Sequence, residues 1–166
     1  DRRQRQMCIR DRFLAGIGCE AKCCTMPKFA GVCEGLTAVD DYKAVCAEYF
    51  NNADALIFIG ASGIAVRAIA PYVKSKTTDP AVLVIDECAN FVISLLSGHI
   101  GGANGLARQI AAAIKAVPVV TTATDVNNLF AVDEWAARRG MVIESMQAAK
   151  DFAAALVAGK TAGLCS

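Results

Sequence analysis

The sequence is poor in several features that would indicate particular classes of protein. His99 is the only histidine among 166 residues, which excludes a metal site built from several imidazoles. The formal net charge is +1, so no basic excess favours nucleic acid or an acidic membrane surface as a partner. No apolar run approaches the roughly 20 residues of a membrane-spanning helix, and no signal peptide is visible. We therefore expect a cytoplasmic protein with no nucleic-acid partner and no membrane partner.

Cysteine, in contrast, is abundant, with eight residues. A disulfide scaffold is small and rich in loops, whereas the strand and helix pattern of this chain is not. The densest group lacks the paired C-x2-C spacing that holds zinc or an iron–sulfur cluster, and consists of Cys19, Cys23, Cys24 and Cys33. We therefore predict reduced, mostly buried thiols and no metal site, with a metal site at these cysteines as the alternative.

Residues 1–11, DRRQRQMCIRD, differ from the rest of the chain. They are strongly basic and show neither strand nor helix periodicity. We interpret them as a non-native segment and leave them out of the fold prediction. The alternative is a native, disordered basic arm.

Apolar periodicity predicts alternating strands and helices along most of the chain. The predicted strands are 20–25, 55–59, 81–86, 91–96, 118–122, 141–143 and a last one beginning at 163. The predicted helices are 39–50, 64–73, 101–115, 132–139 and 146–156, with a loop at 27–35. Only residues 87–90 separate two of the strands, so these two form an antiparallel hairpin. The pattern therefore predicts an α/β fold, a three-layer sandwich with a mixed, mostly parallel sheet containing one antiparallel hairpin.

Four polar turns follow the predicted strands, at residues 60–63, 86–90, 97–104 and 121–125. In open α/β sheets, ligands bind beyond the carboxyl ends of the strands. The hairpin turn at 86–90 is expected to point the other way, because its strands are antiparallel. We expect the other three turns to converge at one edge of the sheet and to form the binding site there.

The turn at 60–63 has the sequence GASG and leads directly into a predicted helix. Gly60 and Gly63 allow a tight turn and the close approach of a ligand, and Ser62 adds a hydroxyl. The helix N-terminus attracts anions, and Arg67 lies one helical turn further on. The spacing matches neither G-x-G-x-x-G nor a P-loop, which argues against a nucleotide-binding domain. These residues predict an anion site, with a tight structural turn as the alternative.

The turn at 97–104, SGHIGGAN, repeats this arrangement around the only histidine. Its hydroxyl, backbone N–H groups and side-chain amide come from Ser97, Gly98, Gly101, Gly102 and Asn104. An imidazole takes or gives a proton near neutral pH, so His99 is a candidate for acid–base catalysis. The alternative is a histidine that only makes a hydrogen bond to a neighbouring group.

The turn at 121–125 adds hydroxyls and a carboxylate at the end of another predicted strand. Thr121 and Thr122 are candidate ligand-binding residues. Asp125 is expected either to orient His99 or to position a water. The alternative is a helix N-cap, which is a common use of aspartate after a strand.

Three segments of the chain together resemble one enzyme family. They are LIFIGASGIAVRAIAPYVKSKTTDPAVLVIDE, FVISLLSGHIGGANGLA and PVVTTATDVNNLFAVDEWA. They are similar to the N-terminal region of the cobalt-precorrin 5A hydrolases of anaerobic cobalamin biosynthesis. The resemblance covers residues 55–125, weakens toward residue 166 and is poor before residue 51.

The resemblance implies a hydrolase that opens the ring A lactone of cobalt-precorrin 5A and releases acetaldehyde, which yields cobalt-precorrin 5B. In this reaction His99 is the expected general base, and the N–H groups of Gly101 and Gly102 with the Asn104 amide are the expected oxyanion donors. The cobalt is carried within the tetrapyrrole substrate, so no further cofactor or protein-bound metal is expected. The alternative is a non-catalytic corrinoid-binding module of the same pathway.

The resemblance also implies a domain organisation. Residues 12–130 are expected to form the N-terminal α/β domain, and residues 131–166 the truncated start of the family's middle region. A C-terminal domain of the same protein, absent from this chain, is an expected partner. Ala89 and Asn128 stand where the family commonly has glycine.

Overall fold

The computed structural model describes residues 21–32, 35–161 and 163. The strands are β1 (Cys23–Thr25), β2 (Leu36–Ala38), β3 (Ala55–Ile59), β4 (Ala81–Ile85), β5 (Phe91–Leu96) and β6 (Val117–Val119). The helices are α1 (Tyr42–Tyr49), α2 (Ser62–Ile69), α3 (Ala103–Ile114), α4 (Ala123–Val126), α5 (Val132–Arg138) and α6 (Met146–Val157), with a 3-10 helix at Pro27–Val32.

The main sheet has four strands in the order β3-β4-β5-β6, and β1 and β2 form a separate parallel pair. Strands β3 and β4 run parallel, β4 and β5 form the antiparallel hairpin, and β5 and β6 run parallel. The predicted α/β fold with a mixed, mostly parallel sheet and one antiparallel hairpin is therefore confirmed.

Helices cover both faces of this sheet. On one face, Ala107, Ile110 and Ala111 of α3 pack in one cluster with Leu83 and Ile85 of β4. On the other face, Phe50 after α1 and Ile69 of α2 pack against Val82. Every residue of β4 is buried, as expected for a continuous apolar strand enclosed between two layers.

The direction of the strands places the polar turns at two opposite edges of the sheet. The carboxyl ends of β3 and β4 share one edge, called here the Gly60 edge, which carries residues 60–63 and 86–90. The hairpin reverses β5, and β6 runs parallel to β5, so their carboxyl ends share the opposite edge. This second edge, called the His99 edge, carries residues 97–104 and 121–125. The expectation that three turns converge at one edge is therefore wrong, because the turn at 60–63 lies at the other edge.

Several predicted elements differ from the structure. Residues 141–143 form no strand, and the side chain of Val142 is 89% exposed. Strand β2 was not expected, and the predicted loop at 27–35 contains the 3-10 helix. Strand β6 ends at Val119, before the predicted limit of 122, because Thr122 is the N-cap of α4. The segment 1–11 lies outside the described residues, as does most of the strand predicted from 163.

The two positions where the family commonly has glycine both adopt positive φ. Ala89 has φ 57° in the hairpin turn, and Asn128 has φ 52° after α4. This region of backbone space favours glycine, and asparagine tolerates it better than alanine does. The backbone at Ala89 is therefore more strained than the backbone at Asn128.

The four described cysteines lie at different depths. Cys46 is buried, Cys23 and Cys24 are half-buried, and Cys88 is exposed. The prediction of mostly buried thiols is therefore wrong for this set. Burial raises the pKa of the Cys46 thiol, and the nearby charge of Asp41 adds to this effect. Within the described ranges, no helix is long and apolar enough to cross a membrane.

Candidate functional site at the His99 edge

The turn at the His99 edge folds back on its own backbone. The N–H groups of Gly102, Ala103 and Asn104 donate to the carbonyls of His99, Ser97 and Gly98, at 2.9, 3.1 and 2.9 Å respectively. These bonds use N–H groups at the start of α3, where no side chain caps the helix. The turn is consequently a closed loop held by its own carbonyls.

Two glycines of this turn are required by space. A Cβ added at Gly101 would lie 2.3 Å from the Cβ of Ser97, and one added at Gly98 would lie 2.8 Å from Asn104 Oδ1. Gly102 has φ 79° and Ser97 has φ 59°, in the region that glycine adopts most easily. The glycines predicted as ligand-binding residues thus have a structural reason to be present.

The imidazole of His99 lies between two carboxylates. Its Nε2 is 2.9 Å from Asp125 Oδ2 and 3.1 Å from the hydroxyl of Thr124. Its Nδ1 is 3.3 Å from Oδ2 of Asp133, at the start of α5. The side chain of His99 is 18% exposed. The structure thus brings Asp125 to His99, as expected, and adds a carboxylate that the sequence did not indicate.

Asp125 is the most heavily hydrogen-bonded group of the site. It accepts from Thr122, Asn104, Arg108 and His99. Burial raises its pKa, but the hydrogen bonds from Thr122, Arg108 and His99 and the charge of Arg108 outweigh burial and hold the pKa well below the ordinary value of 3.8. Asp125 is therefore an ionised, fixed partner for the imidazole at neutral pH.

Asn104 joins this carboxylate to the sheet. Its side chain is only 1% exposed. Its Oδ1 accepts from the hydroxyl of Ser94 in β5 at 2.7 Å, and its Nδ2 donates to Thr122 Oγ1 at 3.0 Å and to Asp125 Oδ2 at 2.9 Å. Both ends of the amide are engaged in the network, so Asn104 is a positioning residue in this arrangement.

Two of the three predicted oxyanion donors are therefore already used. The N–H of Gly102 donates within the turn, and the amide of Asn104 donates within the network. Of the other predicted residues, Thr121 is exposed, while Ser97 is buried and its hydroxyl has no hydrogen-bond partner in the described part of the chain.

The predicted anion site at the Gly60 edge is separate from this network. Ser62 begins α2 and Arg67 lies within it, so both occupy the edge opposite His99. The side chain of Arg67 is exposed, and its guanidinium lies over Gly63, 3.6 Å from where a Cβ there would be. The structure does not bring Gly60, Ser62, Gly63 or Arg67 to His99.

Four residues of the network were missed at the sequence level: Ser94, Arg108, Thr124 and Asp133. Arg108 follows Asn104 by four residues in α3, a spacing that places the two on one helix face, and this could have been read from the sequence. Asp133 belongs to a separate helix, and no spacing signal connects it to His99.

A small cleft opens beside the network, with a volume of about 150 Å³. It is lined by Thr77, Ile100, Asp133, Ala136, Met141, Ile143 and Met146. Pockets for drug-sized ligands have roughly 300–1,000 Å³. The cleft is therefore too small for a macrocycle and large enough for a small group.

The arrangement can hold and move a proton. A neutral imidazole carries one N–H and one lone pair. With the N–H on Nε2, directed at Asp125, the lone pair of Nδ1 can accept a proton from water once Asp133 no longer blocks it. Nδ1 is the nitrogen that can be released, because the contact to Asp133 is longer and Asp125 is held by other donors. Across the described residues, no cluster of three or more His, Cys, Asp or Glu side chains is arranged to hold a metal ion.

Comparison with known proteins gives consistent results. Residues 44–125 match the family model described as cobalamin synthesis G N-terminal. The cobalt-precorrin-5A hydrolase of Salmonella typhimurium is 54% identical over 101 residues, which are 60% of this chain and 29% of that protein. The cobalt-precorrin-5A hydrolase of Priestia megaterium is 50% identical over 108 residues, 65% of this chain and 29% of that protein.

One solved structure resembles the whole fold. It is described as a cobalamin biosynthesis protein G homolog from Sulfolobus solfataricus, and it matches with a TM-score of 0.55 and 24% identity. The match covers 99% of this chain and 46% of that one. This chain thus spans less than a third of the curated relatives and about half of the solved one.

Proposed function

The chain belongs, through residues 44–125, to the cobalamin synthesis G N-terminal family, and from this premise we propose that it is part of a cobalt-precorrin-5A hydrolase. The names of the relatives from Salmonella typhimurium and Priestia megaterium support this role. In the proposed reaction, water opens the ring A lactone of cobalt-precorrin 5A, and the extruded carbon leaves with its methyl group as acetaldehyde. The cobalt belongs to the substrate.

The pair formed by His99 and Asp125 carries the mechanistic proposal. Asp125 stays ionised and fixes the orientation of the ring through Nε2, at 2.9 Å. In the neutral ring that carries its proton on Nε2, the lone pair of Nδ1 then accepts a proton from the attacking water once Asp133 has moved away from it. This step needs only a side-chain movement of Asp133, because Asp125 holds the imidazole in place.

The substrate's carboxylates require positive charge at the same edge as His99. Arg67 cannot supply it from the opposite edge, whereas Arg108 can, because its side chain is 44% exposed while it contacts Asp125. The cleft is too small for the tetrapyrrole, so the ring system would lie across the His99 edge. We propose that the part of the protein beyond this chain covers its other face.

A specific observation also supports a second candidate, a non-catalytic corrinoid-binding module. Both nitrogens of His99 face carboxylate oxygens, at 2.9 and 3.3 Å. A histidine with both nitrogens paired is also what a purely structural network contains. The two candidates differ in whether His99 must exchange a proton during turnover.

The experiment uses a chimera in which this chain replaces the matching part of the Salmonella typhimurium relative. Acetaldehyde release and corrinoid binding are measured for the chimera, for His99→Gln and for the matched control Arg67→Gln at the opposite edge. The hydrolase proposal predicts release by the chimera and by the control, and loss of release with retained binding in His99→Gln. Unchanged release in His99→Gln would overturn the role of His99 as base. Binding without release in the unmutated chimera would favour the binding module.

A further inference from the structure

The cleft of about 150 Å³ has a composition that restricts what it can hold. Its walls are mostly apolar and include Ile100, Ala136 and Met146. The two polar residues among those that line it are Asp133 and Thr77. A concave, mostly apolar site with few polar groups is typical of a small-molecule site, in which the polar groups set the orientation of the ligand.

The cleft is connected to the imidazole by a single side chain. Asp133 lines the cleft and also places Oδ2 3.3 Å from Nδ1 of His99. The other oxygen of Asp133 accepts from the N–H of the neighbouring Glu134 at 3.0 Å, which orients the carboxylate at the start of α5. A group bound in the cleft would therefore meet the carboxylate that contacts the imidazole.

We propose that this cleft is a subsite for a short, uncharged, mostly apolar group that donates a hydrogen bond, such as a short-chain alcohol or a hydrated aldehyde. A cavity of about 150 Å³ holds a molecule the size of benzene, so about six heavy atoms fit. Asp133 is a hydrogen-bond acceptor and carries negative charge, as does Asp125 behind the imidazole. An anionic ligand is therefore disfavoured, and a neutral donor is preferred.

The natural occupant follows from the proposed function, on which this part of the inference rests. A hydrolase that releases acetaldehyde must accommodate a two-carbon fragment near its base, apart from the carboxylates of the macrocycle. A two-carbon group fits the cleft, whereas the tetrapyrrole does not. The cleft would then hold the methyl end of this fragment among its apolar residues, and the hydrated form of the aldehyde would donate a hydrogen bond to Asp133.

Ala136 controls the free volume of the cleft. Its side chain is 4% exposed and belongs to α5, which also carries Asp133. A larger side chain at this position would fill the space without removing a polar group. Ala136→Leu is therefore the variant that blocks the cleft, and Val142→Leu is the matched control, because Val142 is exposed and does not line it.

The binding test uses the 166-residue chain with 13C-labelled methionine methyl groups. Met141 and Met146 line the cleft and report binding, while Met26 does not line it and serves as the internal reference. We expect 1-butanol to shift the Met141 and Met146 signals saturably, and butyrate, which has the same length, to bind at least about tenfold more weakly. Asp133→Asn should reduce this difference between alcohol and carboxylate.

The blocking variant completes the test. Ala136→Leu should weaken 1-butanol binding by about tenfold or more, and Val142→Leu should leave it unchanged. Met146→Phe fills the same cleft from α6 and replaces Ala136→Leu if that variant does not fold. Equal binding of butanol and butyrate, or unchanged binding in the filled variants, would overturn the proposed subsite.

The chimera separates this inference from the proposed function. Loss of acetaldehyde release in Ala136→Leu, with corrinoid binding retained, would support the two-carbon occupant. Unchanged release in a variant that no longer binds butanol would overturn that occupant and leave the hydrolase proposal intact. Butanol binding in a chimera that never releases acetaldehyde would overturn the hydrolase proposal and leave the small-molecule site standing.

Discussion

The two edges of the sheet carry the same arrangement of elements and differ in what surrounds it. At each edge a strand ends, a glycine-containing turn follows, and a helix begins: β3, residues 60–63 and α2 at one edge, and β5, residues 97–102 and α3 at the other. Neither helix starts with a side-chain cap, and at the Gly60 edge Arg67 is exposed. At the His99 edge the turn is tied to a buried polar network.

The difference arises from segments distant in sequence. The turn at 60–63 lies at the same edge as the β4–β5 hairpin, whose Asp86 caps its own turn by accepting from the N–H groups of Cys88 and Phe91. The turn at 97–104 contacts residues 122–125 and Asp133, which supply hydroxyls and two carboxylates. A strand–turn–helix arrangement therefore becomes a candidate site only when other segments bring polar groups to it.

The largest expected effect is that of removing the buried amide at the His99 edge. Asn104→Ala deletes three hydrogen bonds and leaves buried partners unpaired, so we expect a loss of about 3 kcal/mol in the free energy of unfolding. The matched variant at the Gly60 edge, Asn90→Ala, removes one long and exposed hydrogen bond and should cost less than about 1 kcal/mol. Chemical denaturation measures both, and equal losses would contradict the comparison.

A second pair of variants compares the glycines of the two turns. Gly101→Ala places a Cβ 2.3 Å from Ser97 Cβ, which requires a backbone shift and should cost about 1–3 kcal/mol. Gly63→Ala meets only the flexible guanidinium of Arg67 at 3.6 Å and lies in α2, so it should stabilise by up to about 1 kcal/mol. Thermal unfolding measures both variants. A shift of the two unfolding midpoints in the same direction would contradict this prediction.

Acidification should weaken the His99 edge through Asp125. The folded-state pKa of Asp125 is depressed, so its stabilising contribution is complete above the ordinary value of 3.8 and is lost as the pH falls below it. The stability difference between the unmodified protein and Asp125→Asn should therefore be constant from neutral pH to about pH 5 and shrink below pH 3.8. Unfolding curves at a series of pH values test this, and a difference that grew on acidification would contradict it.

The smallest effects are expected for the two arginines. Arg108→Ala removes a half-exposed partner of Asp125 and should cost about 1 kcal/mol. Arg67→Ala removes an exposed side chain and should change stability by less than about 0.5 kcal/mol. Corrinoid binding by the chimera should fall only in Arg108→Ala. A fall in binding in Arg67→Ala alone would reassign the substrate to the Gly60 edge.

Much of the fold could be predicted because it depends on local patterns. Strands β3 and β5 have the predicted limits, since a continuous apolar run bounded by polar turns is hard to read in another way. The hairpin followed from the short connection at 87–90. The strand predicted at 141–143 failed because three apolar residues also suit an irregular segment, and only tertiary contacts decide between the two.

The candidate site could be predicted only in part. His99, Asn104 and Asp125 were identified because they lie in turns after strands, and the structure brings them together. The hairpin also predicts that Arg67 lies opposite His99, since β5 runs antiparallel to β4 and β6 runs parallel to β5. Asp133 could not be found in this way, because its approach to His99 depends on how α5 packs, which no spacing along the chain encodes.

The position of Asp133 has a practical consequence for anyone who shortens this protein. The match to the family model stops at residue 125, whereas one of the two acids that frame the ring comes from the helix after it. Trimming the chain to the residues that match the model would keep the histidine and discard one of its neighbours. Crystallographic or kinetic work on such a minimal piece would report on a ring with one nitrogen stripped of its partner.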